Sequence, residues 1–363
     1  MLIGIPCRVM RGGTSKGPFF LASDLPQDPA LRDRTLLAVM GSEHIRQIDG
    51  IGGGDSLTSK AVMVSGSTRP GVDIEYLFAQ VAVGGDTVDT APNCGNMLAA
   101  VGPFAIESGL VRATSPQTML RIFNRNTGKI VEAIVQTPGG KVTYAGDTAI
   151  DGVPGRSAPV VLNFLDGAGA KTGALLPTGR VIDVIEGVDV SCVDFASPLV
   201  MIAAAALGKT GHEAKAALDS DRQLFERVEA IRLEASRRMG LGDATGKVLP
   251  KVALLAPPAR GGTIASRYLT PWTCHAAHAV TGALCVAAAC RVPSSVADQV
   301  AARGPDTIAI EHPAGKIETR VEVDPTAARG TPVILRAGVV RTARLLLAGR
   351  VFVNLPNELP VAA

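Results

Sequence analysis

The chain has 363 residues, 47% hydrophobic and only 4% aromatic, with 36 Lys and Arg against 33 Asp and Glu. A formal charge of +3 scattered over that length, with few rings for base stacking, leaves no footprint for nucleic acid, and no apolar run reaches the ~20 residues that cross a bilayer. A soluble globular protein is expected, too long for one ordinary core and therefore built as two lobes of comparable size.

Ile3 to Val9 predicts a short strand, Arg11-Gly12-Gly13-Thr14-Ser15-Lys16-Gly17 a glycine- and hydroxyl-rich hairpin turn, and Pro18 to Leu21 the returning strand. The backbone amides of such a turn can line an anion pocket, although the spacing is not that of a Walker loop and a plain glycine hairpin explains it equally well. Asp28 through Met40 has helical spacing. The glycine-dense run Asp49 to Lys60 leads into the strand Ala61 to Val64 and delivers Lys60 to its mouth. A lysine there is ordinarily a solvated strand end; desolvated beside a thiol, its pKa falls and it becomes a proton carrier near neutral pH.

Strands over Tyr76–Val83 and Thr87–Asp89 lead to Thr90-Ala91-Pro92-Asn93-Cys94-Gly95-Asn96-Met97 and the apolar run after it. Pro and Asn ahead of an Ala/Leu run predict a buried helix starting at or beside Cys94, so the thiol sits on free backbone N–H groups and the positive end of a helix dipole. The plainer alternative is a small core residue at a tight turn. Strands follow at Met119–Phe123 and Ile130–Val135, and the Gly/Asp/Pro-rich connection from Ala145 to Pro159 holds the boundary, giving lobes of 1–155 and 156–363, with the last strand free to return to the first lobe. Val160 to Phe164 opens the second lobe, Cys192 to Ala196 is strand-like, and His212 to Met239 predicts a solvated amphipathic helix. Ala279 to Cys290 predicts a helix apolar all round, which must be sheathed by protein, and it aligns weakly with the Cys94 helix. The six cysteines form no CxxC pair, and the start Met1-Leu2-Ile3 has no secretory pattern, so reduced thiols in a cytoplasm are expected.

The segments Met10 to Gly17, Gln47 to Gly53, Thr58-Ser59-Lys60, Asn93-Cys94-Gly95-Asn96, Leu176-Pro177-Thr178-Gly179 and His275…Thr281-Gly282-Ala283 together resemble the PrpF family of methylaconitate isomerases and 4-oxalomesaconate tautomerases. Gln47 to Lys60 and Pro271-Trp272…His275-Ala276-Ala277 are most similar to the 4-oxalomesaconate tautomerase branch. The resemblance implies an α+β, diaminopimelate-epimerase-like fold, two pseudo-symmetric lobes each wrapping a curved sheet around a central apolar helix, with the site between them. It implies no cofactor and a small tricarboxylate as the partner, and the family's habit together with the hydrophobic content suggests a homodimer; no metal is expected from the ligand spacing.

By position, the family's lysine and cysteine fall on Lys60 and Cys94, its hydroxyl loop on Thr14 and Ser15, and its helix-start amides on Asn93, Gly95 and Asn96. Ser59, Arg267 and His275 are further candidates for holding carboxylates. Racemases of this architecture carry a second cysteine where this chain has Ala279, which removes a two-thiol stereoinversion and leaves a single acid–base pair, suited to a 1,3-proton shift. The implied activity is a cofactor-independent tautomerisation or allylic isomerisation of 4-oxalomesaconate in gallate or protocatechuate degradation. Methylaconitate cis-trans isomerisation in the methylcitrate pathway is the alternative, and a non-catalytic carboxylate-binding protein is the alternative of another class. Amides at a helix start contribute roughly 3–4 kcal/mol per well-aimed donor to a developing oxyanion, and a tuned general base contributes ~10²–10⁴ in rate. A zinc site on His275 and His278 lacks further ligands at suitable spacing, and a hydrolase lacks a nucleophile elbow.

Overall fold

The structure, a computed structural model, describes residues 2–165, 167–270, 272–302, 307–324 and 332–354; Met1 and Pro271 lie outside the described residues. The first part of the chain forms β1 (Leu2–Gly12), β2 (Ser15–Leu21), α1 (Pro29–Met40), β3 (Lys60–Gly66), β4 (Ile74–Val81), β5 (Val88–Asp89), α2 (Gly95–Leu98), α3 (Val101–Glu107), β6 (Gln117–Asn124), β7 (Lys129–Gln136) and β8 (Pro159–Phe164). The second forms β9 (Asp183–Ile185), β10 (Val188–Asp194), β11 (Pro198–Ala203), α4 (Lys215–Asp219), α5 (Arg222–Arg238), β12 (Lys251–Ala256), β13 (Ile264–Leu269), α6 (Val280–Ala289), α7 (Val296–Val300), β14 (Thr307–His312), β15 (Gly315–Val323) and β16 (Ile334–Asn354). Among the described residues no helix is long and apolar enough to cross a membrane.

Two strand sets repeat one pattern. β3 lies between a parallel β2 and an antiparallel β4, which continues through a parallel β6 to antiparallel β7 and β8. β12 lies between a parallel β11 and an antiparallel β13, which continues through a parallel β14 to antiparallel β15 and β16. Each set curves around central helical structure, one helix in the second lobe and two short ones in the first. In the second lobe it is α6, whose every residue is buried, as its uniformly small and apolar sequence requires. In the first it is α2 and α3, which bury Met97, Leu98, Val101 and Phe104. The apolar contacts of the two helices merge into a single core spanning both lobes, which is the pseudo-symmetric α+β arrangement expected.

Further helices cover the outer sheet faces. α1 starts on Asp28, whose Oδ1 accepts from Leu31 N at 2.8 Å, and it buries Leu36, Val39 and Met40 against the first lobe. The long helix predicted from His212 to Met239 is instead two. Asp221 interrupts it and caps α5, accepting from Leu224 N at 2.9 Å, because a short acid competes with the helical backbone for its own amides. α5 turns Leu224, Val228, Ile231 and Ala235 onto the second lobe.

β8, placed after the boundary in the sequence, pairs β7 on one side and β16 on the other, so by hydrogen bonding it completes the first strand set. β16 pairs β15 and β8 with its first half and β1 with its second, in a register running from Leu2↔Asn354 to Gly12↔Ala343. The final strand thus serves both lobes.

Candidate active site

A cleft of about 540 Å³ opens where the starts of the two central helices meet, lined from both lobes. Cys94 caps α2 and Ala279 caps α6, the pairing expected from the weak internal repeat. The two starts touch: a Cβ on Gly95 would stand 2.7 Å from Val280, so only glycine admits this approach.

Lys60 is the first residue of β3 and 7% exposed. Its Nζ donates to Gln80 Oε1, directly across the β3–β4 register, and lies 5.3 Å from the centre of the Phe78 ring. Gln80 is itself held, its Nε2 donating to Ser59 O at 2.8 Å and Ser56 O at 3.2 Å, which leaves its carbonyl oxygen aimed at the amine. Burial lowers the Lys60 pKa, and the charges of Cys94 and Asp55 partly restore it. The carbonyl of Cys94 accepts from Tyr76 Oη at 3.1 Å and from Leu98 N at 3.0 Å, fixing the backbone that carries the thiol.

The hairpin between β1 and β2 docks on the start of α2. Gly13 has φ +52°, and a Cβ there would stand 2.1 Å from Asn96 Oδ1, an atom that accepts from Thr14 N at 3.4 Å. That docking sets Ser15 into the cleft wall, 2% exposed, with an Oγ lacking a hydrogen-bond partner. The side-chain amide of Asn93, also on the wall, has neither its oxygen nor its nitrogen satisfied. Buried polar atoms are almost always paired, which sets these wall residues apart from the rest of the interior.

Of the predicted residues, Ser15, Lys60, Asn93, Cys94, Gly95, Asn96 and His275 line the cleft. Thr14, Ser59 and Arg267 do not. Ser59 precedes Lys60, and strand alternation turns it to the other face, where it accepts from Gln47 Nε2 at 2.6 Å and donates to Val81 O at 2.9 Å. Arg267 precedes Tyr268 on β13 and is turned away likewise, its Nε donating to Glu213 O at 2.7 Å. Thr14 sits in the turn with its backbone on Asn96 and its hydroxyl buried without a partner.

His275 accepts from Ala277 N at 3.0 Å through Nδ1, and burial holds its pKa well below the usual value, so the ring is neutral with its proton on Nε2. His278 has both ring nitrogens engaged, Nδ1 with Ala279 O at 2.9 Å and Nε2 with Ser266 Oγ at 3.0 Å, so it offers no free nitrogen as a second ligand.

Two wall residues escape sequence reasoning: Gln80, and Lys251, the first residue of β12. Burial and the charge of Lys60 push the Lys251 pKa down to about 8. The signal that finds Lys251 is strand pairing, since the order around β12 repeats that around β3.

The chain matches the family model described as "PrpF protein" over residues 2–354. It is 51% identical over 353 residues to a 4-oxalomesaconate tautomerase of Pseudomonas putida, covering 96% of each chain. It is 50% identical over 351 residues to a (4E)-oxalomesaconate Delta-isomerase of Novosphingobium sp., covering 96% of this chain and 97% of that one. A crystal structure of methylitaconate-delta-isomerase superposes with a TM-score of 0.79 at 37% identity, covering 97% of this chain and 96% of that one. The fold is therefore the diaminopimelate-epimerase-like one, and with a lysine, a cysteine and unsatisfied polar groups around one cleft, the chain is an isomerase and belongs to the PrpF family.

Proposed function

We propose that the cleft moves a proton on an unsaturated tricarboxylate, with 4-oxalomesaconate, an acid arising from ring cleavage of aromatic acids, as the substrate and Lys60 and Cys94 as the acid–base pair. The observation that carries the reading is that an amine and a thiol from separate segments of one lobe line a common cleft beside polar groups with no partner of their own. Support for the substrate comes from two relatives at about half identity whose names carry 4-oxalomesaconate, against the lower identity to the methylitaconate enzyme.

The substrate's carboxylates accept from Ser15 Oγ, the Asn93 amide and the N–H groups of Gly95 and Asn96. A proton leaves the carbon conjugated to the carbonyl for one member of the pair. The negative charge spreads over the dienolate and its oxygen, and the other member returns a proton at the far carbon or the oxygen, so the substrate's formula is unchanged. Desolvation lowers the Lys60 pKa and so favours the neutral amine, the form that accepts a proton. Gln80 holds the amine in place through the cycle.

The test is proton NMR of 4-oxalomesaconate in heavy water, in which the carbon that picks up deuterium reports the proton's route and separates tautomerisation from allylic isomerisation. Lys60→Ala and Cys94→Ala are each expected to lower kcat by roughly 10²–10⁴. Folded variants with near wild-type turnover would refute the assignment.

A further inference from the structure

We propose that Lys251 is the second lobe's anchor for a substrate carboxylate and that it makes the cleft select tricarboxylates over dicarboxylates. The inference takes only the ligand class, a small polycarboxylate, from the proton-shift reading.

Lys251 is the pseudo-symmetric counterpart of Lys60. Each opens the strand flanked by one parallel and one antiparallel neighbour. Each has an aromatic ring on that antiparallel neighbour, opposite the residue two further along: Val62 faces Phe78, and Ala253 faces Tyr268. Each ammonium stands over its ring, Lys60 Nζ 5.3 Å from Phe78 and Lys251 Nζ 5.7 Å from Tyr268. Both line the one cleft.

The surroundings differ at two places. Opposite Lys60 is Gln80, whose carbonyl oxygen accepts a hydrogen bond from the amine. One step beyond the last paired residues of β12 and β13, the corresponding position opposite Lys251 is Thr270. At the helix start the first lobe has Cys94 and the second Ala279. Lys251 therefore has the position and ring of Lys60, while its own lobe supplies no thiol at the helix start. It also forms no ion pair with a carboxylate among the described residues, whereas Lys215, another lysine on the wall, pairs with Asp219. An unpaired ammonium over an aromatic ring, on the wall of the cavity that Lys60 and Cys94 also line, is a receptor for an anionic group of the ligand. Ser15 and Asn93 on the first lobe's wall offer partners for two carboxylates, and Lys251 takes the third, which a diacid lacks.

The experiment measures, by calorimetry on the intact protein, the affinity of tricarballylate, a saturated triacid with no proton to shift, and of two diacids that each lack one of its carboxylates, glutarate and 2-methylsuccinate. Lys251→Met is expected to weaken tricarballylate roughly 10- to 100-fold, with a markedly smaller loss for one of the diacids, the one missing the anchored group. Lys251→Arg, which keeps the charge, is expected to recover most of that affinity. Equal losses for all three acids, no loss for tricarballylate, or failure of arginine to rescue would each overturn the proposal. Turnover of 4-oxalomesaconate by the wild type is followed separately: its absence alongside the expected coupling would sink the proton-shift reading and leave the anchor standing.

Discussion

The two lobes share a strand order, a central helix and a lysine over an aromatic ring, yet only the first supplies a thiol at its helix start and a carbonyl acceptor opposite its lysine. The shared parts are backbone geometry, and the differing parts are single side chains at equivalent positions. A duplicated fold thus brings two amines to one cavity, and the two differ in the residue opposite each and in which lobe supplies the thiol.

The sharpest way to break this comparison is to exchange lysine for arginine in each lobe. Arginine keeps the charge and does not release its proton, so Lys60→Arg is expected to lower kcat by roughly 10²–10⁴, while the same change at 251 acts mainly on KM. Steady-state kinetics on both variants checks it, and equal kcat losses would mean that both amines move protons. Gln80→Leu comes next, with a roughly tenfold fall in kcat, since a hydrogen bond to a charged group is lost. The acceptor favours the ammonium form, so without it the limb of the pH–rate profile set by Lys60 moves to lower pH, and Gln80→Glu moves it higher.

The contact between helix starts gives a structural test of the same comparison. Gly95→Ala forces a methyl to within 2.7 Å of Val280, and a loss of about 1–3 kcal/mol in denaturant unfolding is expected, together with a raised KM as the lobes part. A smaller effect concerns pH. Lys251 loses its charge as pH rises through about 8, held down by burial and by Lys60 and pulled back up by Cys94 and Asp89. Tricarballylate affinity is therefore expected to fall roughly tenfold or more between about pH 7 and about pH 9.5 in the wild type, and to fall less in Lys251→Met. The smallest expected effect is none: adding Ala279→Cys to a Cys94→Ala variant restores no turnover, because a thiol in the second lobe faces a lysine that lacks the acceptor.

Much of the first lobe is legible in the sequence. The β1–β2 hairpin, α1, β3, β4 and the buried start at Cys94 follow from glycine placement, capping and the length of apolar runs, and α6 follows from its lack of any polar face. The late strands are harder. β16 runs 21 residues with Arg, Leu and Phe exposed alike, because it lies between sheet segments with different inner faces and so shows no steady period of two. The site divides in the same way. Lys60, Cys94 and His275 stand out by residue type and loop composition, but Ser59 and Arg267 look equally suited until strand alternation turns them outward. Lys251 follows Val248-Leu249-Pro250 and resembles a solvated strand end; its importance is a property of pairing between strands distant in the chain.

β16 hydrogen-bonds β1 from Leu2↔Asn354 to Gly12↔Ala343, so β1, whose other edge is closed at once by the hairpin strand β2, waits for a strand that lies beyond the whole second lobe in chain order. Until that strand arrives, one edge of the early sheet is open to wrong partners and to aggregation. Removing β16 would therefore damage the first lobe as well as the second.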